Sequence, residues 1–116
     1  RLAARWHHAL VDVSGLTPAR LLDVLVGADA LRRAERFDAL LDAASAHVFA
    51  LHGADPNAES RRRAWRAALA TVREVDAAAI ARDTLARIGG KAVNTGDAIA
   101  AALRRERIAA LRRQMR

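Results

Sequence analysis

Alanine limits the possible folds of this sequence more than any other residue type, because it occupies 30 of the 116 positions. Its side chain favours helices and lets neighbouring helices pack closely. Large aromatic side chains are scarce, because the chain has two tryptophans, two phenylalanines and no tyrosine. Apolar residues also recur at helical spacing along the chain. We therefore predict an all-α fold of five to six short helices, forming one compact helical domain over residues 1–116.

Turn residues divide the first half of the chain into segments. The first helix is expected to stop at residues 14–15, where serine and glycine follow each other. Thr17 is a suitable N-cap because Pro18 follows it at the first helical position. A break near residues 27–29 predicts one helix on each side of it, or a single bent helix. The clearest loop is "HGADPNAES", residues 52–60.

Similar signals organise the second half. Asp76 is predicted to cap a short helix that ends at the glycine pair 89–90. The last helix is expected to start near Asn94 or Thr95. If Asn94 is the cap, Asp97 stands at the position that completes a capping box.

The charge of the chain predicts an acidic partner without identifying it. Nineteen arginines and one lysine against thirteen acids give a net charge of +7. Such a balance attracts nucleic acid or an acidic protein surface. Cysteine is absent, which excludes disulfides and thiol catalysis and fits a reducing compartment. No apolar run is long enough to span a bilayer, so we predict a cytoplasmic protein without membrane contact.

No recognisable catalytic or metal-binding pattern occurs in the sequence. The four histidines show no spacing typical of a metal site, and we interpret them as surface or half-buried structural residues. The carboxylates form no Asp-x-Asp pair that could hold two magnesium ions. No serine lies in a nucleophile elbow. We therefore predict no catalytic residue and no metal ligand in this chain.

Arginines form rows on two of the predicted helices. In the last helix, four of them fall opposite an apolar face made of Ile99, Ala102, Leu103 and Ala110, although Ile108 falls among the arginines. A second row lies beside the apolar stripe of the helix around Trp65. Each row could simply be a solvated face. The glycine stretch "GGKAVNTGDAI" could in addition offer a lysine to a phosphate, although a plain turn is the simpler interpretation. The candidate RNA-binding residues are Arg62, Arg66, Arg73, Lys91, Arg104, Arg105, Arg112 and Arg116.

Two stretches resemble a known family. Residues 21–37, "LLDVLVGADALRRAERF", are similar to its "LLxxLxxxDAxRRPERF" pattern, and residues 99–111, "IAAALRRERIAAL", are similar to its "IxxxLxxxRIxAL" pattern. Together with the order of segments over nearly the whole chain, they resemble the C-terminal helical region of bacterial CCA-adding tRNA nucleotidyltransferases of the multifunctional CCA protein type. The chain departs from the family at Ala34, where the family has proline, and in residues 45–60, where the family has an acidic, arginine- and glycine-rich segment.

The resemblance implies a parent enzyme that completes tRNA 3′ ends from CTP and ATP with Mg²⁺. In that family the catalytic carboxylates lie in an N-terminal head, followed by a metal-dependent HD region. Neither signature is present here, so the chain is expected to be a C-terminal fragment without a cofactor of its own. Its expected partners are tRNA and the N-terminal catalytic and HD regions of the parent chain, and its role is to face tRNA or to act as a scaffold. The alternative from the residues alone is a basic helical adaptor that binds an acidic protein.

Overall fold

The computed structural model describes residues 2–89 and 94–116, with side chains from residue 6 onward. Within these ranges the chain forms six α-helices and one short 3₁₀ turn, and no strand, which confirms the predicted all-α class. The molecule measures 58 × 31 × 21 Å. None of the described helices is both long and apolar enough to cross a membrane. The elements are α1 (Leu2–Val11), the 3₁₀ turn (Val13–Gly15), α2 (Pro18–Gly27), α3 (Ala34–His52), α4 (Ala58–Glu74), α5 (Ala77–Ile88) and α6 (Thr95–Gln114).

Three predicted helix ends are confirmed by their local geometry. The Thr17 hydroxyl accepts a hydrogen bond from the Arg20 backbone N–H at 3.2 Å, and Pro18 is the first residue of α2. The Asp76 carboxylate accepts one from the Ala79 N–H at 3.0 Å. Gly89 ends α5 in the left-handed conformation, with φ of 65°, which costs glycine no steric strain. Such caps supply partners for backbone groups that a helix leaves unpaired at its ends.

One predicted loop boundary and one predicted cap differ from the structure, although α6 begins at Thr95 as expected. The loop between α3 and α4 covers residues 53–57 and is shorter than predicted, because α4 already begins at Ala58. There the Ser60 hydroxyl donates to the Asn57 carbonyl at 3.2 Å, so residues that resemble a loop belong to a helix start. The capping box at α6 is wrong. Asn94 precedes the helix, but its φ of −112° and ψ of 62° lie outside the usual N-cap conformation and its side chain makes no capping bond.

Trp65 lies at the centre of the core. It is fully buried, and its indole Nε1–H donates to the Leu10 carbonyl oxygen at 2.9 Å. Phe37 meets it edge to face, with ring centroids 5.5 Å apart and an interplanar angle of 75°. One side chain of α4 thereby contacts both α1 and α3. The largest fully buried side chains are Trp65, Phe37, Leu10, Leu22, Leu25, Leu111, Val24 and Val72.

A glycine allows α1 to approach α2 closely. A Cβ atom added at Gly27 would lie 2.4 Å from Cζ2 of Trp6, well inside van der Waals contact. Any larger residue at this position would therefore have to displace the indole ring. Arg20 extends over the same ring, with its guanidinium carbon 5.7 Å from the centroid.

The last helix, α6, packs against three other helices, α2, α4 and α5. Leu111 enters the main core and is fully buried. Farther toward its start, α6 packs with α5 through small residues. Ala102 of α6 and Thr84 of α5 are both buried there, and the Thr84 hydroxyl donates to the Ile80 carbonyl oxygen at 2.7 Å. The position of α6 therefore determines which of its arginines face outward.

Candidate nucleic-acid interface

The two faces predicted for α6 are present, with one correction. Ala102 and Ala110 are buried, while Ile99 and Leu103 are half-buried. Arg104, Arg105 and Arg112 of this helix are exposed, and so is Arg116, which lies beyond the end of α6 and not on it as predicted. Ile108 does not belong with them, because its side chain is half-buried and packs against the main core. The buried face is wider than predicted, since Ile108 belongs to it and α6 contacts three helices.

The arginine row on α4 is largely paired with acids of α3. Arg62 forms an ion pair with Asp42, and Arg66 Nε lies 3.5 Å from Asp38 Oδ1. Arg73 is exposed, and no ion pair involves it within the part of the chain that the structure describes. Asp38 and Asp42 lie one helical turn apart on α3 and face these arginines. Two of the three candidates on α4 therefore help to hold two helices together.

The second row of arginines also contains both paired and unpaired residues. Arg104 Nη1 donates to Asp23 Oδ1 of α2 at 2.8 Å. Arg105 lies in a shallow groove between α5 and α6 that Asp83 and Glu106 also line. Arg112 and Arg116 are exposed at the end of the helix. Among residues 2–89 and 94–116, no ion pair engages Arg105, Arg112 or Arg116.

Lys91 lies outside the described residues, as do residues 90–93 of the glycine stretch around it. Of the seven candidate arginines, three form ion pairs and four do not. Exposed ion pairs of this kind contribute about 0.2–1 kcal/mol each. A phosphate approaching a paired arginine must compete with a carboxylate that is already in contact. The four unpaired arginines are therefore the better candidates for a polyanion: Arg73, Arg105, Arg112 and Arg116.

Sequence reasoning missed Arg61, which is 6% exposed although it carries a charge. Its Nη2 donates to Asp55 Oδ2 at 2.5 Å and to Ser45 Oγ at 3.2 Å. These bonds connect the loop and α3 to the first turns of α4, within the segment that departs from the family pattern. The hydrogen bond from Arg61 is the main reason why the pKa of Asp55 is lowered. The sequence did contain a signal for this ion pair, because a single acid, Asp55, lies in the loop just before the basic start of α4.

The lowered pKa predicts how acid affects the stability of this segment. Because the folded-state pKa of Asp55 is below its unfolded value, the stabilisation is present above about pH 4 and is lost as the pH falls through the folded-state pKa. We expect an Asp55→Asn variant to melt below the parent chain at about pH 6, with the gap in Tm narrowing as the pH falls below about 4. Thermal melts of both proteins across this range measure it. A gap that stays constant on acidification would show that the carboxylate charge does not matter.

Arg107, inside the second family-like stretch, was also missed. Its Nε is buried and has no hydrogen-bond partner in the part of the chain that the structure describes. Burial lowers its pKa, although a guanidinium stays charged near neutral pH. The residue separates the exposed Glu106 from the core-facing Ile108. It is a further cation near the candidate interface.

Two histidines far apart in the sequence come together. The rings of His7 on α1 and His47 on α3 meet edge to face with centroids 4.4 Å apart, and His8 lies 5.8 Å from His7. Burial lowers the pKa of His7, with further contributions from His47, His8 and Arg61. Across the described residues, no group of three or more His, Cys, Asp and Glu side chains could hold a metal ion.

Comparison with known proteins identifies relatives for most of the chain. A multifunctional CCA protein of Aromatoleum aromaticum is 43% identical over 81 residues, which cover 70% of this chain and 20% of that protein. A multifunctional CCA protein of an Azoarcus species is 41% identical over the same length. A CCA-adding enzyme of Bordetella pertussis is 47% identical over 66 residues, which are 57% of this chain and 15% of that enzyme.

No family model matches the chain, and no solved structure matches it. The three relatives are nevertheless all CCA-adding proteins, the family that the sequence resembles. The chain spans only a fifth or less of each relative. It is thus a homologue of one segment of the multifunctional CCA proteins and CCA-adding enzymes.

Proposed function

We propose that this chain is the C-terminal helical part of a CCA-adding tRNA nucleotidyltransferase and that it contacts the tRNA backbone. The identity to multifunctional CCA proteins over 70% of the chain is the observation that carries this proposal. It favours the enzyme segment over a free-standing adaptor for an acidic protein. The parent enzyme would add C, C and A from CTP and ATP with Mg²⁺, at catalytic and HD regions elsewhere in its chain. We assign no Mg²⁺ ligand to the residues described here.

The unpaired arginines support a contact with phosphate. Arg105 and Arg112 lie on the exposed side of α6, whose other side is packed against three helices, and the exposed Arg116 follows just beyond the end of the helix. A guanidinium held on a rigid helix can donate two hydrogen bonds to one phosphate. Side chains cannot reach bases in the deep major groove of an A-form acceptor or T arm. The contact would therefore position the tRNA without reading its sequence.

The paired arginines have a different role in this proposal. Arg62, Arg66 and Arg104 bridge α4 to α3 and α6 to α2. They would keep the helices in position while the unpaired set faces RNA. Three of the four unpaired arginines, Arg105, Arg112 and Arg116, carry the same total charge as the three paired ones but have different surroundings, which permits a matched test.

We expect the loss of the unpaired set to weaken tRNA binding more than the loss of the paired set. Replacing Arg105, Arg112 and Arg116 by glutamine should lower the slope of log affinity against log salt by about three, roughly one for each phosphate contact. Replacing Arg62, Arg66 and Arg104 by glutamine removes the same charge but should change the slope by less than about one. Fluorescence anisotropy with labelled tRNA over a salt series measures both.

Two results would contradict the proposed interface. Equal slopes for the two triple variants would show that binding follows net charge alone. No binding by the parent chain even at low salt would leave the domain as a scaffold. Thermal melts of each variant must accompany the titrations, because loss of the paired set also removes three ion pairs. Anticodon sequence should not affect affinity, since the contact is made to the backbone.

A further inference from the structure

A cleft lies between α1, the end of α3 and the start of α4, and no residue of α6 lines it. Its volume is about 880 Å³, within the range of pockets that hold small molecules. The 53–57 loop closes one side. We call it the histidine cleft, after His7, His8 and His52 in its lining.

The lining combines donors with an apolar wall. Ser60 and Arg61 of α4 join the three histidines as polar groups. Both hydrogen bonds of the Arg61 side chain use Nη2, and among the described residues Nε and Nη1 make none, so part of a five-donor guanidinium is available. Across the cleft the wall is aliphatic and consists of Val11, Val48 and Leu51, the last of these 64% exposed.

The charges of the cleft are unbalanced. Asp55 is the only acid in the lining, and it is already bound to Arg61. The groups that face His7 are His8 from its own helix, His47 from α3 and Arg61 from α4, all of them cations when protonated. Repulsion from these neighbours adds to burial in lowering the pKa of His7. An anion would relieve this repulsion and accept hydrogen bonds from the same groups.

We propose that the histidine cleft binds a small organic anion, a phosphate ester on a flat apolar group. The phosphate would lie against Arg61, Ser60 and the imidazoles, and the flat group would pack on the aliphatic wall and stack on an imidazole ring. A free ester and the phosphorylated end of a single-stranded RNA share this chemistry. The inference does not depend on the tRNA contact of α6, because the two surfaces share no residue.

Phenyl phosphate is the first probe, followed through the imidazole ¹H–¹⁵N signals of His8 and His52. We expect saturable shifts with a Kd of about 1 mM or lower. Inorganic phosphate lacks the flat group and benzyl alcohol lacks the charge, so each should bind at least about tenfold more weakly. No shift with about 10 mM phenyl phosphate, or equal binding of inorganic phosphate, would overturn the proposal.

A variant and its control locate the site. His52 is exposed, so His52→Gln should keep the fold and weaken phenyl phosphate binding by at least about fivefold. Arg113→Gln removes an exposed cation at the far end of α6 and should leave binding unchanged. Equal weakening by both variants would mean that the probe follows net charge, which contradicts a defined cleft.

Two last measurements test how ligand binding depends on pH and where the ligand comes from. Benzenesulfonate keeps its charge near neutral pH, so tighter binding at about pH 5.5 than at about pH 8, by about tenfold, would report protonated imidazoles. No difference between the two conditions would contradict their role. A 5′-phosphorylated tetrauridylate that binds more tightly than phenyl phosphate assigns the cleft to an RNA end, whereas equal or weaker binding assigns it to a free ester.

Discussion

Replacing Trp65 by alanine is expected to lower the free energy of unfolding by about 3–5 kcal/mol, a large part of what a domain of this size possesses. The indole is fully buried between Phe37 and α1, so its loss leaves a cavity and removes the edge-to-face contact. It also leaves the Leu10 carbonyl without its donor. That carbonyl lies in the last turn of α1, where the helix itself provides no partner. Chemical denaturation followed by circular dichroism measures the change.

Two further variants separate the contribution of the Trp65 hydrogen bond from that of the buried ring and provide an exposed control. Trp65→Phe keeps a ring in the core but removes the hydrogen bond, and we expect it to cost about 1–3 kcal/mol for the unpaired buried carbonyl together with the lost volume. Phe49→Ala removes an aromatic side chain that is 60% exposed on α3, so it should change stability by less than about 0.5 kcal/mol. A Trp65→Ala variant no less stable than Phe49→Ala would show that Trp65 is not the centre of the core.

Helix positions were predictable because they depend on local chemistry. Thr17 with Pro18 and Asp76 each cap a helix through atoms within three residues in the sequence. The errors arose where one residue type serves two purposes. Asn and Ser are common in loops and also at helix starts, and residues 57–60 use them for the start of α4.

The candidate site was predictable only in part, because pairing depends on which helices are neighbours. The sequence indicated which arginines share a helix face, and α6 does present them to solvent. It did not show that α3 would place Asp38 and Asp42 opposite Arg66 and Arg62, although a short connection between two helices favours an antiparallel arrangement.

Contacts between residues far apart in the sequence were even harder to predict. His7 meets His47 across forty positions, and the pair forms only when α1 and α3 pack together. Arg61 resembled one more solvated arginine in a run of three, yet it is the buried one. A helical run of arginines must place some of its members inward, and only the packed helices determine which member finds an acid.

The same substitution should strongly destabilise the protein at one residue of α6 and leave its stability nearly unchanged at the adjacent residue. Leu111 is fully buried, so Leu111→Asp forces a carboxylate into the core without a partner and should cost more than about 4 kcal/mol, enough to unfold much of the domain. Arg112→Asp changes an exposed position and should shift stability by less than about 0.5 kcal/mol while weakening tRNA binding. Leu103→Asp should fall between them, because Leu103 is half-buried and its carboxylate can still reach water. Thermal melts of the three variants, followed by tRNA anisotropy for those that remain folded, test both faces of the helix. If Arg112→Asp unfolded the chain while Leu111→Asp did not, the two faces of α6 would be assigned the wrong way round.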